Sequence, residues 1–221
     1  ASRGLAPDGD EPRRAADGSI VPPDGIAFDI AIRSRFFILC TLAYVFSMMA
    51  QVGSLAHQFR LVATRTGDDH VAALAVSVMA AASVMGRLVG GSVLSRVSSK
   101  RYLLGVFMLQ GVSFALFAFA EGTTALLVVS AMFGATVGNL QMMQPLIMAE
   151  AFGLKAYARI LSLAQMITTC ANSMGPALLG FLYERGGGYE LAYLVITGSS
   201  LLGIAALIAA GPVRGAMDRR S

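Results

Sequence analysis

Arg87 is the only Asp, Glu, Lys or Arg between Val71 and Leu94, a run otherwise made of Ala, Val, Leu, Met, Gly and Ser. A guanidinium in such surroundings is costly unless it meets water, a partner or a path to an interface. Its characteristic chemistry is to hold a carboxylate through two parallel hydrogen bonds, a geometry that Lys does not reproduce. Other polar side chains recur at helical spacing within apolar runs. Tyr44 and Gln51 lie seven residues apart with Met48 between them, Gln141 and Gln144 share a helix face, and Gln165, Thr168, Thr169 and Asn172 form a third group. Such groups either contact a small polar ligand or hydrogen-bond between helices. Histidine is the side chain most suited to exchanging a proton at physiological pH, so His57 is a candidate proton sensor; the alternative is a plain interfacial position.

Several kinds of chemistry are missing. The apolar runs hold no Asp, no G-x-S-x-G and no Ser–His pairing, so nothing points to an intramembrane protease or another enzyme. Cys40 and Cys170 are too few for a disulfide framework or a zinc site and read as small packing residues. No phosphate-binding loop is present, and neither a cofactor nor a metal is expected. The pairs Gly86/Gly90 and Gly134/Gly138 instead have the spacing that lets helices approach closely.

These residues must be positioned by membrane helices. Hydrophobic residues make up 56% of the chain and charged residues 14%, against about a quarter charged in soluble domains. Six apolar runs are each long enough to span a bilayer, which takes about 20 residues. They cover roughly residues 36–59, 71–94, 102–120, 124–148, 160–183 and 191–210. If the chain begins and ends on one side, that side carries most of the basic residues, among them Arg33, Arg35, Arg96, Lys100, Arg101, Lys155 and Arg159. The other side carries only Arg60, Arg65 and Arg185. By the positive-inside rule both termini are cytoplasmic, and the net charge of +4 is a topology signal that requires no nucleic acid. The longest outside loop is expected at HQFRLVATRTGDDH, residues 57–70.

Residues 1–33 are rich in Gly, Pro, Asp and Arg and read as a flexible cytoplasmic linker. The end of this stretch, GIAFDIAIRSR, has the pattern of a short amphipathic helix on the membrane surface. Residues 34–212 form the membrane bundle and residues 213–221 a cytoplasmic tail. The chain opens on linker-like sequence without Met, so it is expected to be the later part of a longer protein. Laying the second run on the fifth reveals a repeat. Gly86, Gly91 and Arg96 match Gly175, Gly180 and Arg185 at a constant offset of 89 residues. Two runs separated by three helices point in opposite directions, so the expected fold is all-α, with six transmembrane helices arranged as two inverted three-helix repeats.

GRLVGGSVLSRVSSKR, residues 86–101, resembles the loop signature between the second and third helices of a half-domain in the major facilitator superfamily. Gly86, Arg87, Gly91, Arg96, Lys100 and Arg101 fit it. Ser95 stands where that signature has Asp, Ser98 where it has Gly, and Ser99 where it has a basic residue. PLIMAEAFGLKAYARILSL and GPALLGFLYERGGGYELAY are similar to the last helices of the monocarboxylate-porter and oxalate/formate-antiporter branch. The resemblance spans about residues 34–212 and implies the carboxy-terminal six-helix half of a twelve-helix secondary transporter, with residues 1–33 as its central loop.

The resemblance also implies a function. A small organic anion, most simply a monocarboxylate, would move by alternating access between this bundle and an amino-terminal six-helix half, by symport or antiport and with protons as a possible second partner. Arg87 would bind the carboxylate. Tyr44, Gln51, Gln141, Gln144 and Asn172 would line the same cavity. Arg96, Lys100 and Arg101 would latch one conformation at the cytoplasmic mouth. Ser83 stands where this branch often has an Asp, so no acid balances Arg87 one turn away. The implied location is a plasma or inner membrane. The alternative for Arg87 is a structural role in the loop signature, and for the chain a transport-inactive sensor or partner subunit on the same fold.

Overall fold

A computed structural model describes residues 24–213. Seven helices account for nearly all of them: α1 (Phe28–Ile32), α2 (Arg35–Thr66), α3 (Asp69–Leu94), α4 (Ser99–Phe119), α5 (Thr123–Phe152), α6 (Tyr157–Gly186) and α7 (Tyr189–Ala209). Local chemistry explains their ends. Ser34 caps α2 by accepting the Phe37 N–H at 3.1 Å, and Asp68 caps α3 by accepting the His70 N–H at 2.8 Å. Gly67 and Gly187 close α2 and α6 in the left-handed conformation that Gly tolerates best. Connections this short make successive helices antiparallel neighbours. Ser99 at the start of α4 donates to Glu150 near the end of α5, and Lys100 donates to the Gly211 carbonyl just beyond α7. These bonds put the three termini at one end of the bundle.

The expected long loop at 57–70 is a helix instead. α2 continues to Thr66 and leaves only Gly67 and Asp68 as the turn. Arg60 and Arg65 gave the segment a loop-like polarity, but Gln58, Leu61 and Val62 are buried there. The Arg65 guanidinium donates to the carbonyls of Phe117, Ala118 and Ala120, each at 2.7 Å, and so satisfies the open end of α4.

The linker reading also changes at its boundary. Residues 1–23 lie outside the described residues, as do 214–221 of the expected tail. Residues 24–28, however, form a strap across the α5–α6 turn. Ile26 N–H donates to the Phe152 carbonyl and Leu154 N–H to the Asp24 carbonyl, both at 2.9 Å, and the Arg159 guanidinium sits 4.5 Å from the Phe28 ring centroid.

The packing repeats itself. The most extensive helix contacts are α3 with α5 and α2 with α6, and these exchange when α2, α3 and α4 are swapped with α5, α6 and α7. The crossings use equivalent glycines. A Cβ on Gly86 would stand 2.6 Å from the Ala135 carbonyl oxygen, and a Cβ on Gly175 would strike that of Met49. The bundle is therefore two inverted three-helix repeats, the half-fold anticipated from the sequence.

Phe107, Leu103, Leu140, Met143, Ile147 and Phe152 form one buried cluster, and Phe114, Phe117, Phe133, Leu126 and Tyr193 a second. In lipid such packing contributes through close contact rather than through escape from water. Among the described residues five helices are long and apolar enough to cross a membrane: α2, α3, α4, α5 and α7. α6 has 30 residues, so length does not separate it from them. Gln165, Thr168, Thr169, Asn172 and Ser173 dilute its apolar character.

Candidate functional site

The helices differ sharply in how much they bury. In the most apolar stretch of α3 only 17% of residues are buried, against 61% in α2. Exposed apolar residues occur on every long helix, Met85 and Leu88 of α3 and Met166 and Met174 of α6 among them, but the helices differ in the polar groups between them. On α4 and α7 the exposed surface is apolar: Met108, Leu109, Val112 and Leu116 on one, Leu194, Leu201, Leu202 and Ile208 on the other. That is a face suited to lipid. On α6, Ser162, Gln165, Thr169 and Ser173 form an exposed polar stripe beside the exposed Cys170. Arg87 on α3 and Gln141 on α5 are exposed as well. Polar groups in the middle of long apolar helices belong against water or protein rather than lipid.

Arg87 lies two turns before the end of α3. Its side chain runs over Gly138 of α5. A Cβ placed on Gly138 would collide with Nε and stand 2.7 Å from Cγ and 2.9 Å from Cδ. Gly138 is thus the cradle of Arg87, a role that the helix-packing reading of Gly134 and Gly138 did not anticipate. Gly134 does have the packing role, since a Cβ there would strike the Met79 backbone. Gln141 follows Gly138 by one helical turn and so shares its side of α5. The flank of α3 that faces α4 is a different one, carrying Gly86, Val89, Gly90 and Val93. Arg87 therefore looks away from α4 and its lipid-suited face.

The remaining sequence candidates are more dispersed. Tyr44 and Gln51 are fully buried inside the bundle instead of lining an open face. Tyr44 packs edge-on against Phe107 of α4, with ring centroids 5.7 Å apart. Its face of α2 continues through Ser47, Gln51, Ser54 and Gln58, all buried, and Ser54 pairs with the Tyr193 hydroxyl of α7 at 3.0 Å. Gln144 is buried behind Gln141. Asn172 is partly buried, and its Oδ1 has no hydrogen-bond partner among the described residues. Helical spacing put Tyr44 and Gln51 on one buried stripe, but periodicity does not say which face turns inward, and burial separates Gln144 from Gln141.

His57 joins three helices. Its Nε2 is 3.1 Å from the Pro176 carbonyl oxygen of α6, and its Nδ1 is 3.4 Å from the Tyr189 hydroxyl of α7. At the opposite end Lys100 is engaged with the carboxyl end of α7, whereas Arg96 and Arg101 are exposed. Neither the Lys100–α7 contact nor the Ser99–Glu150 bond was legible in the loop signature, because each partner is distant in sequence.

Comparison with known proteins places this arrangement. The family model of the Major Facilitator Superfamily matches residues 21–219. Monocarboxylate transporter 13 of Rattus norvegicus is 32% identical over 143 residues, covering 64% of this chain and 33% of the relative. Its counterpart in Bos taurus is 29% identical over 143 residues, with 64% and 34% covered. The chain thus spans about a third of the length of these relatives. Among solved structures, a peptide transporter POT mutant in complex with alafosfalin superposes with a TM-score of 0.69 at 18% identity, covering 78% of this chain and 37% of that one. A mutant of the E. coli fucose:proton symporter FucP gives 0.66 at 16% identity, with 83% and 45% covered.

Proposed function

The chain belongs to the Major Facilitator Superfamily, and from that premise we propose that it forms one half of a secondary transporter for a small organic anion, most simply a monocarboxylate. The other half is a second six-helix bundle facing the α3/α6 side, and transport proceeds by alternating access between the two. Arg87 is the substrate cation. The observation that carries this reading is its placement: an exposed guanidinium two turns inside the apolar α3, laid over Gly138, on the flank of α3 turned away from α4.

Gln141 and the half-buried Asn172 add hydrogen-bonding capacity on the same side of the bundle. Tyr44, Gln51 and Gln144 support it from within and meet substrate only if the helices rotate. The relatives named as monocarboxylate transporters agree with a carboxylate substrate. Lys100, held at the end of α7, is the part of the expected latch with a visible partner. The protein is an integral membrane protein, and we place it in a plasma or inner membrane with both termini cytoplasmic, from the distribution of Lys and Arg. No Asp or Glu falls within the expected spans. An acid that couples transport to protons therefore belongs to the other half, or else transport is anion exchange.

The test is uptake by the intact protein in proteoliposomes, using a panel of labelled mono- and dicarboxylates with and without a pH gradient. Arg87→Lys is expected to lower monocarboxylate uptake by about tenfold or more, because a point ammonium replaces a two-pronged donor. Membrane insertion should be unchanged. Uptake kinetics unaltered in Arg87→Ala would remove Arg87 from the site.

A further inference from the structure

The two inverted repeats close differently. α6 packs along α7, but its counterpart α3 stands off from α4 and the two barely touch. Between them lies a crevice of about 400 Å³ with Asn139 of α5 at its floor. Its walls are Val89, Val93 and Val97 on one side and Gly105, Val106 and Leu109 on the other. Val89, Val93, Val97 and Leu109 are exposed, so the crevice opens on the apolar surface that suits lipid. Along α3 and α4 it runs for about two turns, or roughly 12 Å. Arg101 lines it at the start of α4 and Arg96 lies in the preceding turn, both exposed. Lys100 between them is diverted to the carboxyl end of α7, so two cations remain at the mouth.

We propose that this crevice holds an anionic phospholipid, one acyl chain between α3 and α4 and the phosphate on Arg101 and Arg96. An apolar slot ending in guanidinium groups at the expected cytoplasmic surface complements such a lipid in both shape and charge. A zwitterionic lipid offers the same chain but no net charge. Occupancy also completes the packing of α3, which the other repeat achieves by direct helix contact. This site is separate from Arg87, which lies on the opposite flank of α3, and it does not depend on the carboxylate reading.

The test uses the intact protein reconstituted with equal phosphatidylglycerol and phosphatidylcholine of matched chains, with retained lipid counted by native mass spectrometry. Phosphatidylglycerol should be retained over phosphatidylcholine, and Arg101→Gln should reduce its retention by about fivefold. Gly105→Leu is the second arm: Gly105 lines the slot and the space around a Cβ there is open, so a larger side chain has room to enter it. It should lower phosphatidylglycerol retention with every charge intact. Equal retention of the two lipids by the unaltered protein overturns the proposal. So does loss in Arg101→Gln with full retention in Gly105→Leu, which would mean that surface charge alone holds the lipid.

Discussion

Arg87 and Gly138 act as a pair. The guanidinium keeps its position because the residue beneath it has no side chain. The three atoms nearest a Cβ on Gly138 all belong to the flexible Arg87 side chain, whereas those nearest a Cβ on Gly86 belong to the backbone of Ala135. The two glycines therefore make opposite predictions. Gly138→Ala should cost less stability than Gly86→Ala, because a flexible side chain and not a backbone has to move, while displacing Arg87 and raising the KM for a carboxylate. Gly86→Ala should lower stability, because the helix backbones themselves must part. Measuring melting temperature and uptake on both variants checks this; a Gly138→Ala protein with unchanged KM would show that the position of Arg87 over α5 is unimportant. Arg87 stood out in the sequence because nothing else charged shares its run. Gly138 did not, since a G-x3-G pair reads the same whether it admits a helix or a side chain.

For the helices, existence was far more legible than extent or facing. Each of the six apolar runs coincides with a helix, α2 to α7, and five of these helices are long and apolar enough to cross a membrane, a length that composition reveals. The end of α2 was misread because Arg60 and Arg65 look like loop residues when their partners are unknown. Arg65 is the clearer case: it is spent on three carbonyls at the end of α4. Carbonyls at a helix end have no partner within the helix, and a charged donor is the strongest that a side chain supplies. Arg65→Leu should therefore cost about 2 kcal/mol of stability, the scale of hydrogen bonds to a charged group, with Arg65→Lys recovering part of it. A thermal melt in detergent gives the readout, and an unchanged melting temperature in Arg65→Leu would mean that water replaces the guanidinium at no cost. Facing was hidden for a different reason. Tyr44 and Gln51 share one stripe, as their spacing requires, but that stripe turns inward, toward Phe107 of α4 and Tyr193 of α7.

At the scale of the molecule, the six helices form a body with a lipid-suited side on α4 and α7 and an unsatisfied side on α3 and α6. The inverted repeat explains why these two helices share a fate: they are the same element in each triplet, packed most extensively against α5 and α2 respectively. The repeat was readable from three matched positions at an offset of 89 residues, yet the polarity of the uncovered side emerged only when burial separated Gln165, Thr169 and Ser173 from Thr168. That polarity makes a prediction with a reporter already in place. Cys170 is exposed beside the polar stripe, and Cys40 is buried in the core. Thiols react through the thiolate, which forms in water and not in hydrocarbon. If α6 lines a water-filled path between two halves, a membrane-impermeant maleimide should label Cys170 in the intact protein and leave Cys40 untouched. Saturating carboxylate substrate should change the labelling rate by shifting the population of open states. Removing the reporter with Cys170→Ala should abolish labelling while sparing uptake. A Cys170 reactive only toward membrane-permeant reagents would put α6 against lipid, and the polar stripe would then have to serve contacts between whole proteins instead of a path through one.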